Sequence, residues 1–265
     1  MQATDASAPG RVSKGDVPAT VKVLAARVAP SVLPPIRLTD GTVEGLKWIG
    51  LVLMTVDHVN KYMLHERLPP LFALGRLSLP IFGLVLAYNL ARPGALERGV
   101  YQRTLGRLAV VGVIAEAPFI ALGGLGWGWW PLNILLMLLV AGTIMWLLEL
   151  GGACRIALGV LVFIVGGAMV EFWWPAIAMC LAAWSYCRRP SCRALGFWFV
   201  SVLALWVVNR NWWAFAAFPL IFYAPHARWT VPRWRYAFYA YYPAHLALIW
   251  GISRWLSIPK AGVGQ

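Results

Sequence analysis

The chain has 265 residues, of which 60% are hydrophobic and only 12% are charged. A soluble globular protein is less apolar and carries about twice this share of charged residues. The composition therefore excludes an ordinary soluble enzyme and indicates one polytopic membrane domain. The formal net charge of +13 does not indicate a nucleic-acid-binding protein, because the basic residues lie between apolar segments rather than together on one soluble face.

Residues 1–40 are rich in Ala, Ser, Pro, Gly and Asp and lack the apolar stretch of a signal peptide. Such a composition is typical of a disordered segment, although a short helix is predicted around residues 19–28. We therefore divide the chain into a flexible cytoplasmic tail over residues 1–40 and a transmembrane helical domain over residues 41–258.

Nine apolar segments follow the tail, and each is predicted to cross the membrane as a helix. They cover residues 46–64, 70–91, 104–122, 131–149, 154–170, 173–187, 194–208, 211–224 and 236–256. The eighth is short and follows the seventh after only two polar residues, so a re-entrant segment is an alternative there. With the amino terminus inside, seventeen Lys and Arg residues face the cytoplasm and five face outside. The apolar segments predict an all-α bundle of about nine spans, and the charge asymmetry predicts that its amino terminus is cytoplasmic.

Asp57 and His58 stand side by side in the outer half of the first segment. A charged carboxylate within the bilayer costs roughly 2.5–3.5 kcal/mol, and such residues usually face other helices or a wet cavity. Asp57 could pair with Lys61 one turn later, and His58 could be a neutral imidazole bonded across a helix interface. Neither alternative explains both groups together, so we favour a functional role for the pair.

The second segment holds Arg76 and Pro80. A proline inside a helix cannot bond the carbonyl four residues before it, so the backbone is predicted to open beside Arg76. Two interpretations of Arg76 stay open. It forms an ion pair with Asp57, or its guanidinium holds an anionic or acyl group.

Polar residues also occur in the third and fourth segments. Glu116 is predicted to be a second partner for Arg76 or a protonated acid, and pairing is the favoured alternative. Asn133 follows Pro131, which suits a helix start. The Asn133 side chain therefore helps the helix entry or directs its amide to a bound substrate.

The last segment places two tyrosines within one turn of a histidine. Tyr241 and Tyr242 precede His245 by four and three residues, so the three side chains can share a helix face. The simpler interpretation is a histidine packed among aromatic rings. The alternative is a proton-handling site, in which these groups face Asp57 and His58.

Several other kinds of site have no signature in the sequence. There is no phosphate-binding glycine loop, no His-Glu-x-x-His motif and no nucleophile elbow. The four cysteines fit no metal site by their spacing and are expected to be reduced. They are Cys154, Cys180, Cys187 and Cys192. We therefore expect no metal.

Taken in order, the motifs resemble the TraX family of integral-membrane pilin acetylases from conjugative plasmids. They are also distantly similar to membrane acyltransferases. The resemblance covers residues 46–250 and rests on LKWIGLVLMTVDHV, GRLSLPIFGLVLA, RTLGRLAVVGVIAEAPF, PLNILLMLL and RYAFYAYYPAHLALI. The family's motif residues correspond to Asp57, His58, Gly75, Arg76, Asn133, Pro243 and His245.

The resemblance implies an enzyme of the bacterial inner membrane that acetylates the amino terminus of a pilin subunit during pilus maturation, with acetyl-CoA as donor. The catalytic residues would be Asp57, His58, Arg76 and His245. The substrate-binding residues would be Glu116, Asn133 and Tyr242. Coenzyme A phosphates would lie against Arg92, Arg103 and Arg107, although positive-inside topology accounts for these arginines equally well.

In this hypothesis His58 is the base or a transient acyl carrier. Asp57 orients it, while Arg76 and Asn133 stabilise the tetrahedral oxyanion. Two other classes of function remain open. One is a pilin maturation factor without acetyl transfer, such as a chaperone or a partner in pilin cyclisation. The other is a small-molecule or proton-coupled transporter, suggested by the ionisable residues within the spans.

Overall fold

The computed structural model describes residues 33–123, 125–234 and 236–257. Within these residues the chain is helical and contains no β-strand, only an isolated parallel bridge between Leu132 and Val170. The prediction of an all-α fold is confirmed. The short helix predicted around residues 19–28 lies outside the described residues.

Eleven α-helices and two short 3-10 helices make up the described part of the chain. The first six are α1 (Asp40–Tyr62), α2 (Pro69–Gly75), α3 (Ser78–Ala91), α4 (Val100–Leu122), α5 (Ile134–Leu150) and α6 (Ala153–Met169). The others are α7 (Trp173–Arg188), α8 (Cys192–Ala204), α9 (Trp206–Asn209), α10 (Ala217–Tyr223) and α11 (Ala237–Ser257). The 3-10 helices are Trp213–Ala216 and Ala224–His226, on either side of α10.

The length and apolar composition of several helices indicate a membrane protein. By length and composition, three helical stretches of the described chain can cross a bilayer, namely Pro69–Ala91, Val100–Leu122 and Cys192–Asn209. Two further apolar helices, Ile134–Leu150 and Ala153–Met169, are shorter. The count of nine spans and the cytoplasmic amino terminus stay predictions.

The predicted eighth span differs most from the structure. In its place are α10, of seven residues, and the two 3-10 helices. The three pieces follow one another directly over residues 213–226, which is fewer than the roughly 20 residues that a transmembrane helix needs. This segment is therefore short for a single crossing, which favours the re-entrant alternative.

The second predicted span is divided into α2 and α3. Arg76 follows the end of α2, where its backbone N–H bonds the carbonyl of Ala73 at 3.2 Å. Pro80 lies in the first turn of α3, where the missing N–H does no harm. The helix is interrupted where the sequence predicted an opened backbone, and the interruption lies at Arg76.

Packing brings the two ends of the chain together. The central helix α3 packs against α7, which in turn packs against α8. The last helix, α11, lies against α4 and α1. Tyr242 and Leu246 of α11 form an apolar cluster with Met54, Ala115 and Phe119, so α1 and α11 are held side by side.

Gly75 allows α1 and α2 to come close at the level of Asp57. A Cβ atom added at Gly75 would lie 2.3 Å from the Cβ of Asp57. Real Cβ atoms do not approach this closely, so any larger residue would push the two helices apart. The approach places Arg76, the next residue, beside Asp57.

Candidate functional site

A cavity of about 130 Å³ lies where α1, α3, α11 and the start of α5 meet the connection between α6 and α7. It is smaller than the 300–1,000 Å³ typical of pockets for drug-sized ligands, so it suits the reacting end of a larger molecule. Its polar lining residues are Asp57, His58, Lys61, Tyr62, Glu66, Arg76, Ser78, Glu171 and Tyr242.

Two histidines from opposite ends of the chain meet beside this cavity. His58 Nδ1 lies 2.8 Å from His245 Nε2, and the rings are stacked with centroids 5.1 Å apart. His245 Nδ1 lies 3.1 Å from the carbonyl oxygen of Tyr241. A carbonyl only accepts, so Nδ1 of His245 carries the hydrogen and its Nε2 accepts in the neutral ring. His58 therefore donates through Nδ1, which leaves its Nε2 with a lone pair.

Aromatic residues of α11 hold His245 in place. The Tyr241 ring stacks on the imidazole at 5.1 Å, and the Tyr242 ring meets it edge-on at 5.4 Å. The hydroxyl oxygens of Tyr241 and Thr55 lie 2.8 Å apart. Thr55 already donates to the carbonyl of Leu51, so Tyr241 is the donor in this bond. The tyrosine thus ties α11 to α1 and orients the histidine.

Asp57 forms an ion pair with Arg76. The residue is only 8% exposed, and the ion pair that it makes is with Arg76 rather than with Lys61. Arg76 also bonds Asn209 Oδ1 at 3.4 Å and lies over the Phe72 ring at 4.3 Å. Asp57 Oδ1 and Arg76 Nε are buried and have no hydrogen-bond partner within the described chain. Both residues line the cavity.

The partner of His58 corrects the predicted role of Asp57. The hydrogen bond that orients the His58 ring comes from His245, while Asp57 holds Arg76. Consecutive residues of an α-helix point about 100° apart because the helix has 3.6 residues per turn. Adjacent residues such as Asp57 and His58 therefore meet different neighbouring helices.

Glu116 and Asn133 accept hydrogen bonds from backbone N–H groups at the start of α5. Neither residue lines the cavity. Glu116 Oε1 accepts from the backbone N–H of Asn133 at 2.8 Å. Asn133 is fully buried, donates its amide to the carbonyl of Gly112 at 2.8 Å and accepts from Leu135 N–H at 2.9 Å. A helix start leaves four N–H groups without helical partners, which explains these contacts. The expected pair between Glu116 and Arg76 is not formed.

Sequence reasoning missed Glu171, which lies on the cavity wall in the connection between α6 and α7. Its backbone N–H bonds the carbonyl of Leu132 at 2.9 Å, and Leu132 N–H bonds Met169 at 2.8 Å. Burial raises the pKa of the Glu171 carboxyl to about 7. The available signal was a single acid between two apolar segments, close to the predicted outer face.

The arginines predicted to bind coenzyme A lie at the other end of the helices. Arg92 forms an ion pair with Asp40 at 2.7 Å, and this bond holds the pKa of the Asp40 carboxyl below its usual value. Arg107 lies over the rings of Tyr236 and Tyr239, and Arg103 is exposed. Asp40 and Asp57 are separated by about 26 Å along α1, so these arginines do not adjoin the cavity.

The chain is similar to known proteins over the same helices that form the cavity. A family model described as TraX protein matches residues 42–253, which include nearly all of α1 to α11. The chain belongs to the TraX family. A curated relative from Escherichia coli, named Protein TraX, is 30% identical over 132 residues. That match covers 49% of this chain and 50% of the relative, so it spans about half the length of each. No solved structure matches this TraX-family chain.

Proposed function

We propose that this chain is an integral-membrane acetyltransferase that modifies the amino terminus of a conjugative pilin subunit, with acetyl-CoA as the acyl donor. Membership of the TraX family supports a role in pilin maturation. The observation that carries the chemistry is the His58–His245 pair at a cavity that also holds Asp57 and Arg76.

The first chemical step removes a proton from the amine. An ammonium group has no lone pair, so only the neutral amine attacks a thioester. His58 Nε2 takes this proton, while His58 Nδ1–H stays bonded to His245. His245, fixed by its own Nδ1–H bond to the Tyr241 carbonyl, orients the base as a carboxylate does in a hydrolytic triad.

Arg76 supplies a donor for the charge that develops in the second step. The amine nitrogen attacks the thioester carbonyl carbon, and the carbonyl oxygen becomes an oxyanion. Arg76 Nε–H has no partner within the described chain, and a well-placed donor of this kind contributes about 3–4 kcal/mol. Asp57 holds the guanidinium through another of its nitrogens.

Collapse of the oxyanion completes the transfer. His58 has by then passed the ammonium proton to water, so it is free to take the second proton from the amine nitrogen, which became positively charged on attack. The carbon–sulfur bond breaks, the amide forms, and the coenzyme A thiolate takes this second proton from His58, so one proton is released to water overall. The base is then neutral again and ready for the next amine. Because the cavity measures about 130 Å³, only the acetyl and amine ends fit inside, and the remainder of both substrates extends beyond it.

The proposal is tested with the purified chain in lipid vesicles, supplied with acetyl-CoA and the pilin subunit. Mass spectrometry of the pilin should show one added acetyl group at its amino terminus. His58→Ala should reduce the rate by about 10²–10⁴-fold, the range for loss of a general base. His226→Ala is the matched control, because His226 is an exposed histidine outside the cavity, and it should acetylate at the wild-type rate.

Three outcomes contradict the proposal. Undiminished acetylation by His58→Ala removes His58 from the mechanism. Pilin that matures without gaining an acetyl group favours a maturation factor that transfers nothing. Flux of a small solute or of protons through the vesicles without coenzyme A favours a transporter.

A further inference from the structure

The charges on the cavity wall do not cancel. Three carboxylates line it, from Asp57, Glu66 and Glu171, against two cations, from Lys61 and Arg76. Asp57 is paired with Arg76, whereas Glu171 belongs to none of the ion pairs formed within residues 33–123, 125–234 and 236–257. Lys61 and Glu66 are both exposed, so water screens their charges. With neutral histidines and Asp57 paired with Arg76, the ionised form of Glu171 is the negative charge that remains in the less exposed part of the wall.

The backbone beside Glu171 is fixed. A parallel bridge joins Val170 to Leu132, and the residue after Glu171 enters the left-handed region, with φ 59° at Phe172 and 51° at Trp173. Bulky residues adopt this region only where the surrounding structure enforces it, and such positions cluster at functional sites. The Glu171 carboxyl is therefore attached to a rigid part of the wall.

Two residues of the cavity wall have a side-chain polar atom without a partner in the described chain. Asp57 Oδ1 accepts nothing and Arg76 Nε donates to nothing, although both are buried. A buried polar atom without a partner costs about 1–3 kcal/mol. A ligand with N–H donors at one end and a carbonyl oxygen beside them would satisfy both atoms. The Glu171 carboxyl accepts a backbone hydrogen bond from Ile134 and is attracted by Lys61 and Arg76 only from beyond ion-pair distance. Its ionised form therefore adds a preference for positive charge on the donor end.

We propose that Glu171 is a specificity-determining residue, which selects a protonated primary amine as the acceptor by pairing with its ammonium group inside the cavity. This inference rests on the proposed acetyl transfer for the identity of the reaction, but it predicts ligand binding that needs no acyl donor. The substrate class that it names is a peptide with a free, positively charged amino terminus.

Binding is measured with the full chain in lipid nanodiscs, without acetyl-CoA, using tetra-alanine amide as the probe. One form has a free amino terminus and the other is N-acetylated. The assay is run at pH 7.5, below the α-amino pKa of about 7.7–8.0, so the free form is mostly cationic. Wild type should bind the free form at least about tenfold more tightly than the acetylated form, and Glu171→Gln should bind both equally.

Two further variants separate charge from shape. Glu171→Asp keeps the charge on a shorter side chain and should retain part of the preference. Should the Gln variant fail to fold, Glu171→Ala carries the test, because it removes the charge, and a preference equal to that of wild type would then contradict the proposal. Glu149→Gln is the control, because Glu149 pairs with Arg188 near the far end of α5, and it should keep the full wild-type preference.

The outcomes distinguish this inference from the proposed function. A full preference in Glu171→Gln, or none in wild type, overturns the role of Glu171 even where pilin is acetylated. A wild-type preference that Glu171→Gln abolishes, in a chain that never acetylates pilin, supports the amine site and overturns the acetyltransferase.

Discussion

His245 decides which nitrogen of His58 can act as a base. Its Nδ1 is bound to the carbonyl of Tyr241 and its Nε2 to Nδ1 of His58, so both rings are held in one tautomer. A lone imidazole would exchange between two tautomers, and only one of them leaves Nε2 free. The second histidine therefore preorganises the first without adding a buried charge.

This arrangement predicts the ¹⁵N NMR signature of His58. The Nδ1 resonance should be that of a protonated nitrogen and the Nε2 resonance that of an unprotonated one. His245→Ala should let His58 populate both tautomers and lower the acetylation rate, because the ring loses its orientation. A hydrogen on Nε2 of His58 in the wild-type chain would contradict the assigned hydrogen bonds.

At the same scale, the pair of Asp57 and Arg76 is better understood as a positioning device than as a source of stability. Removing two charges from water costs about as much as their attraction returns in an apolar interior. The pair nevertheless fixes the guanidinium, because Asp57, Asn209 and Phe72 each contact it from a different element. The guanidinium group is thereby held in the wall of the cavity.

At the scale of the elements, the interruption between α2 and α3 places Arg76 at the cavity. An unbroken helix from Pro69 to Ala91 would bond the backbone of Arg76 like that of any other turn. The break instead puts Arg76 at a helix end, directly after Gly75, whose small size allows the approach to Asp57. The helix ends thus form part of the site.

Gly75→Ala tests this close approach. The added methyl group would lie 2.3 Å from Asp57 Cβ, so α1 and α2 must separate, at a cost of about 1–3 kcal/mol for an overpacked contact. We expect a lower unfolding temperature in detergent and a large loss of acetylation, as Arg76 moves from Asp57.

Gly106→Ala on α4 is the matched control for Gly75→Ala. Nothing lies within 4 Å of a Cβ atom added at Gly106, and replacing a helical glycine by alanine adds about 0.5–1 kcal/mol of stability. This variant should melt slightly higher than wild type and remain active. Equal unfolding temperatures and equal activities in the two variants would show that α1 and α2 are not in close contact at Gly75.

At the scale of the whole molecule, the cavity and the basic segments lie at opposite ends of the helices. The cavity lies near the end of α1 and the start of α5, whereas Arg92 pairs with Asp40 at the start of α1. If the basic ends face the cytoplasm, the cavity lies in the outer half of the membrane. The acyl donor would then have to cross much of the bilayer thickness to reach His58.

Cysteine labelling checks this orientation. The starting chain has its exposed Cys154 and Cys192 replaced by serine. In spheroplasts, from which the outer membrane has been removed, Trp127→Cys should react with a membrane-impermeant maleimide. Glu97→Cys should react only after permeabilisation. Both positions are exposed, and they lie in connections at opposite ends of α4. The reverse pattern would place the cavity on the cytoplasmic side.

The amino-acid sequence by itself determined the class of fold and the polar residues of interest. Apolar segments long enough for a bilayer, and charged side chains within them, are local properties that can be found by inspection. The interruption near Arg76 was equally local, because Pro80 removes a particular backbone hydrogen bond. These features depend only on residues within a few positions of one another.

The tertiary structure decided which of those residues act together. His58 bonds His245, which is 187 positions away in the sequence. Glu116 bonds the backbone at the start of α5 rather than Arg76. Glu171 lines the cavity from the connection between α6 and α7. Neighbouring residues on a helix diverge by about 100°, so each meets whichever helix packs on its own side. That choice depends on the fit of whole helix surfaces, which no local pattern in the sequence contains.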